Sequence, residues 1–198
     1  ASFQLAALHM LADVLPQAAD ILGKEQDQRW QAIDEKLPPY ATVEGPISLE
    51  TNSRVQQRIG LWEDMDLITS HRHHSHLASI YPFVTIDPFS EGHHEIVENS
   101  LNFWTLRGPG AWRGWCVPGA SVLNSRFDRT EAAVNWLHVW KETFTNAGRG
   151  TLHNAAFPGF SMIYHPVWEK YEGDNGEIMQ LDAGFGAITA VTELLVQN

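Results

Sequence analysis

Asp128-Arg129-Thr130-Glu131-Ala132-Ala133-Val134-Asn135-Trp136-Leu137-His138-Val139-Trp140-Lys141-Glu142-Thr143-Phe144-Thr145-Asn146 is the stretch on which the fold class turns. Ala133, Trp136, Leu137, Trp140 and Phe144 recur at helical spacing, which gives the segment one apolar face. Asp128 or Thr130 is placed to cap a helix running from Glu131 to Asn146, and Gly148 follows its stop. Residues 111–127 open with Trp112-Arg113-Gly114-Trp115 and continue as a mostly helical run despite Pro118 and Gly119. Two helices joined by a short turn make an αα-hairpin, and this is the clearest one in the chain.

Working outward, the same unit recurs. Residues 3–22 carry Leu5, Leu8, Leu11, Leu15 and Ile21 at roughly helical spacing, with Pro16 expected to kink or restart the helix and Gly23 as the stop. Residues 26–37 give a second amphipathic helix through Trp30, Ile33 and Leu37, ended by Pro38-Pro39. Residues 40–60 read as a long polar loop with at most a short strand, a length that in compact domains usually serves function. A helix capped by Ser90, with Glu91 in its first turn, buries Ile96, Leu101 and Trp104 and closes at Gly108-Pro109-Gly110. Residues 151–180 form a long loop carrying Phe157, Phe160, Tyr164, Trp168 and Tyr171, and an apolar helix over 187–196 ends the chain. Helical hairpins with long connections gathered on one rim describe an all-α chain forming part of an α/α toroid. A small irregular helical domain is the alternative. The chain opens as though inside a helix already under way, which reads as a truncated chain or one without a processed leader.

Within this frame lies Ser70-His71-Arg72-His73-His74-Ser75-His76-Leu77. A buried helix could not leave so many ring nitrogens unpaired, and a solvated one has little reason to cluster them. The run reads as the lining of a polar pocket, anchored by the apolar residues 77–83. A zinc site is a competing reading, since His73 and His76 are spaced i, i+3 and His93-His94 follow. Glu63, Asp64 and Asp66 precede the run, as helix caps or solvated charge, or as carboxylates that orient an imidazole or guanidinium in the pocket.

Composition narrows the partners. The net charge of −11, from 24 acidic against 13 basic residues, excludes nucleic acid and anionic membranes, which both need basic footprints. No apolar run reaches the roughly 18 residues of a membrane span. Cys116 is the single cysteine, so no disulfide framework exists. Eight tryptophans are many for this length; most read as core, and the excess also suits stacking on the C–H faces of sugars.

The residues themselves resemble a family. His71-Arg72-His73-His74-Ser75-His76-Leu77 with Tyr81-Pro82 is similar to the "H-R-H-x-S-H-L … Y-P" signature of glycoside hydrolase family 95, which holds inverting α-L-fucosidases and relatives acting on α-L-galactosides. Leu37-Pro38-Pro39-Tyr40 and Trp62-Glu63-Asp64 agree in order. Gln180-Leu181-Asp182-Ala183-Gly184-Phe185-Gly186 resembles the family's "Q-I-D-G-N-F-G", and Glu193-Leu194-Leu195-Val196-Gln197 its "E-M-L-L-Q". The resemblance implies an (α/α)6 barrel, of which residues 1–198 match the C-terminal half of one catalytic domain. It implies Asp182 as the carboxylate on the water-activating side, Arg72, His73, His71, His76 and Trp62 as sugar contacts, no cofactor and no metal. It also leans toward a secreted or periplasmic protein with a glycan substrate.

The match is incomplete. Ala183-Gly184 stand where the family has Gly-Asn, and neither the loop bearing the general acid nor the Asn-rich segment that holds the attacking water is present. Without the resemblance, Asp182 reads most simply as a helix N-cap. A non-catalytic carbohydrate-binding or structural module lacking the acid therefore stands as the alternative function.

Overall fold

The computed structural model describes residues 1–47, 54–155 and 178–196. The chain divides into two compact units: Ala1–Leu67 with His74–Phe103, and Ile68–His73 with Trp104–Asn198. The described elements are α1 (Ser2–Ile21), α2 (Arg29–Asp34), β1 (Thr42–Pro46), β2 (Val55–Ile59), a 3₁₀ turn (Ser75–Leu77), α3 (His94–Leu106), α4 (Cys116–Arg126), α5 (Thr130–Thr143) and α6 (Leu181–Leu195). The helix-rich expectation holds, but the all-α one needs correcting. β1 and β2 pair antiparallel, with Thr42 opposite Ile59 and Pro46 opposite Val55.

In the first unit, α1 passes through Pro16 as one helix. It ends on Gly23 at φ 62°, where Gly23 N–H donates to Asp20 O (3.1 Å) and Lys24 N–H to Ala19 O (2.8 Å). These are the two bonds of a Schellman stop. α2 packs on α1 but is only six residues long, shorter than residues 26–37. Its start is set by Asp27, whose Oδ1 accepts the Arg29 N–H at 3.0 Å. The strand hairpin is fastened to α3, because Ser100 Oγ accepts the Ile59 N–H (2.8 Å) and Asn99 Nδ2 donates to Gln57 O (3.0 Å). α3 begins at His94, four residues after Ser90. The Ser90 hydroxyl donates to Asp87 O instead of capping, and Gly92 turns the chain at φ 85°. Val97, Leu101 and Phe103 fill the core of this unit, with Leu77, Ala78 and Ile80 beside the 3₁₀ turn. The apolar anchor expected after the His run is thus present.

His76 sits in that core, and its Nδ1 has no hydrogen-bond partner among the described residues. Burial lowers its pKa from 6.5 to about 3, so the ring is neutral. Between those values the unfolded chain binds more protons than the folded one, and stability falls as pH drops through that window. Near pH 5 the cost is about 2 kcal/mol. Urea unfolding of wild type and His76→Leu, each near pH 7 and near pH 5, should show the variant losing much less over that drop. Equal losses in the two proteins would remove His76 as the source.

In the second unit, α4 packs against α5 and α6. Ser121 Oγ donates to Ala133 O (2.8 Å) where α4 meets α5, and Gly186 lets α6 approach Pro118. The hairpin expected over residues 111–146 is therefore present with tighter bounds. Neither Asp128 nor Thr130 caps α5: Arg129 is its N-cap residue and Asp128 takes φ 55°. Trp104 stacks on Trp112 at 4.5 Å, and Trp112 leans on Trp136 at 5.1 Å, so three tryptophans serve packing. α6 starts at Leu181, six residues before the expected 187, which brings Asp182 into its first turn. The expected aromatic loop falls largely on residues 156–177, outside the described residues.

Candidate active site

The second unit collects the chemistry. Ile68–His73 is held at one end by Ser70, whose Oγ donates to Gly108 O (2.5 Å) and accepts the Ala111 N–H (3.0 Å). At the other end Cys116 Sγ donates to the Arg72 carbonyl (2.9 Å) and accepts the Arg113 N–H (3.1 Å). The carbonyl of Arg72 is thereby fixed while its side chain stays exposed. His71 Nδ1 lies 3.0 Å from the His73 N–H, tightening the turn. The His73 ring tilts against Trp115 with centroids 5.5 Å apart. Trp115 belongs to the turn 112–115, which is pinned by Gly114 N–H donating to His153 O (3.0 Å). Gly114 has no alternative: a Cβ there would lie 1.9 Å from Leu152 O.

The residues around this loop share one electrostatic environment. Burial lowers the pKa of Cys116's neighbour Arg113, with the Arg72 charge adding to the effect. Burial, then Arg72 and His71, lower His73. Burial, then Arg113, lower His153, while Asp182 pulls it back up and Arg72 again lowers it. Burial pushes the Cys116 thiol up to about 12, so it is an uncharged donor. His73 and His153 are accordingly neutral rings at ordinary pH, each with one donor and one acceptor. That pairing matches sugar hydroxyls, which donate and accept. Asp182 lies exposed in the first turn of α6, and its Oδ1 accepts the Ala183 N–H at 3.2 Å.

An open groove of about 560 Å³ also runs along α6, lined by Trp140, Leu181, Phe185, Ile188 and Val191 among others. Among the described residues its lining is mostly apolar, with Thr151, Thr192 and the Trp140 indole as its side-chain polar groups and no charged side chain. The polar cluster is the better candidate despite the groove's size.

Of the residues singled out from sequence, Arg72, His73, His71 and Asp182 belong to the second unit, and His76 and Trp62 to the first. Trp62 is half-exposed and His76 is buried. The dense His run is therefore divided, with His71, Arg72 and His73 in one unit and His74 and His76 in the other. Arg113, Trp115, His153 and Gln180 join the cluster without having been expected there. The sequence signal for the turn was Gly114 between two tryptophans. Nothing flagged His153. Among the described residues no group of three His, Cys, Asp or Glu side chains is arranged to hold a metal ion.

The model of the glycosyl hydrolase family 95 catalytic domain matches residues 2–195. The chain belongs to that family. No curated protein matches it. Membership makes this a glycoside hydrolase sequence with a glycan as its substrate class. Among the described residues no helix is long and apolar enough to cross a membrane.

Proposed function

We propose that residues 1–198 are the C-terminal portion of an (α/α)6 glycosidase domain that removes terminal α-L-fucosyl or α-L-galactosyl residues with inversion. The observation that carries this reading is geometric: Gln180 bonds both the Trp115 N–H and Asp182, and the Trp115 ring lies 5.5 Å from that of His73, so the carboxylate and the His73 loop border one spot. Inverting hydrolysis needs a carboxylate to activate water on one face of the sugar and an acid on the other, with the two carboxyl groups about 6.5–9.5 Å apart. Asp182 is the water-side carboxylate in this reading. Arg72, His73 and His71 hold the hydroxyls in this reading, Arg72 as a donor and the neutral His73 ring as both donor and acceptor. His76 and Trp62 are carried as sugar contacts by the family resemblance alone. The acid belongs to the family's upstream loop, outside these residues.

The test is hydrolysis of p-nitrophenyl α-L-fucoside and α-L-galactoside by the full-length protein, with proton NMR of the first sugar released. Turnover with the β anomer appearing first is the expected result. Release of the α anomer would sink the inverting mechanism, and saturable binding of the sugar without turnover would replace the hydrolase by a non-catalytic module.

A further inference from the structure

The geometry points to Gln180 as the positioning residue of Asp182, an inference that rests on the catalytic reading of that carboxylate. Gln180 is the N-cap residue of α6, yet its side chain makes no cap hydrogen bond. Glutamine is a poor N-cap, since short Ser, Thr, Asp and Asn side chains fit that geometry best. Its presence there calls for another use of the amide, and the contacts supply one. Oε1 accepts the Trp115 N–H at 3.2 Å, and Nε2 donates to Asp182 Oδ2 at 3.4 Å.

The orientation of the amide follows from the partners. A backbone N–H can only donate, so the oxygen must face Trp115. That leaves the NH₂ group toward Asp182, where an ionised carboxylate can only accept. The site is built to admit this amide. A Cβ on Gly114 would stand 2.8 Å from Gln180 Oε1, so the glycine clears its place. The main chain of Gln180 is held on both sides as well, its N–H donating to Thr151 O (2.8 Å) and its carbonyl accepting Thr151 Oγ1–H (2.6 Å).

The consequence is a fixed carboxylate. One oxygen of Asp182 is held by the Ala183 N–H and the other by Gln180, so its plane cannot swing freely. The same amide ties Asp182 to the Trp115 turn, whose ring contacts His73. Because the donor is neutral, Asp182 is oriented without having its charge cancelled. Gln180 thus sets where the activated water stands relative to the sugar held by the His73 loop, a matter of near-attack geometry more than of sugar affinity.

The experiment compares Gln180→Glu and Gln180→Met with wild type in the full-length protein, on p-nitrophenyl α-L-fucoside. Glu keeps an oxygen for the Trp115 N–H but turns a carboxylate toward Asp182. Met keeps the length and offers neither bond. Both variants should lose about tenfold in kcat with KM within about twofold, and Glu should keep the thermal midpoint of wild type. A kcat within about twofold of wild type in Gln180→Glu would overturn the inference. So would a loss confined to KM, which would make Gln180 a sugar contact, or a kcat loss in Met alone that tracks its thermal midpoint. Asp182→Asn separates the two levels. If that variant stays active, the catalytic reading itself fails. If it is inactive while both Gln180 variants are normal, only the positioning role fails.

Discussion

Replacing Asp182 by Asn in the full-length protein is expected to lower kcat on an α-L-fucoside by about a thousandfold, the range of a positioned general base. The substitution keeps the volume and keeps Oδ1 as an acceptor for the Ala183 N–H, so the first turn of α6 loses little. Asp182 is exposed, so the exchange buries no polar group. The stability terms at risk are its favourable position at a helix N-terminus, roughly 0.5 kcal/mol, and the exposed bond from Gln180 Nε2 to Oδ2. Activity and folding therefore separate cleanly: kcat collapses, KM changes little, and the thermal midpoint stays within a few degrees. The measurement is steady-state kinetics beside thermal unfolding. Near-normal turnover would sink the assignment of Asp182 as the water-side carboxylate, and with it the proposed mechanism. A loss of activity matched by a loss of folded protein would point instead to a plain helix-terminal role.

What could be read from sequence follows from where regular periodicity exists. α5 was legible because Ala133, Trp136, Leu137 and Trp140 repeat on one face, and the Gly23 stop because a left-handed residue at a helix end favours glycine. The strand hairpin was not, because β2 reads Val-Gln-Gln-Arg-Ile with no apolar alternation, and Arg58 buries its stem where an apolar residue would normally signal a core face. The His run was legible as chemistry but not as geometry. Residues 70–74 are irregular, so neighbours in sequence need not share a direction, and His76 turns into the core on the 3₁₀ turn while Arg72 stays exposed. Asp182 was found through its motif. The residues that support it were not, since Gln180, Trp115 and His153 meet only through the pairing of residues 151–153 with 178–180, a tertiary contact with no local signature.

The other large effect lies in the first unit, at Arg58 and Asp66. The sequence offered Glu63, Asp64 and Asp66 as carboxylates that orient an imidazole or guanidinium in the pocket; Asp66 instead holds Arg58, which belongs to the first unit and not to the His71–His73 loop. Arg58 Nε and one terminal nitrogen donate to Asp66 Oδ2 at 3.0 and 2.5 Å, and its other terminal nitrogen donates to Gly45 O at 3.0 Å. The guanidinium also lies 3.7 Å over the Phe103 ring. Arg58 is 3% exposed and Asp66 15%, so the guanidinium has no water to fall back on and the carboxylate little. Removing one partner strands the other, at a cost of about 3–5 kcal/mol. Arg58→Met should therefore lower the urea midpoint far more than an ordinary surface change, and Asp66→Leu alone should do the same by leaving the cation unpaired. The double variant tests the cause, because two apolar side chains in contact no longer bury an orphan charge. It should lose clearly less than the sum of the two single variants. Strict additivity, or a cost below about 1 kcal/mol for Arg58→Met, would mean the pair is not what holds β1, β2 and the 61–67 segment together.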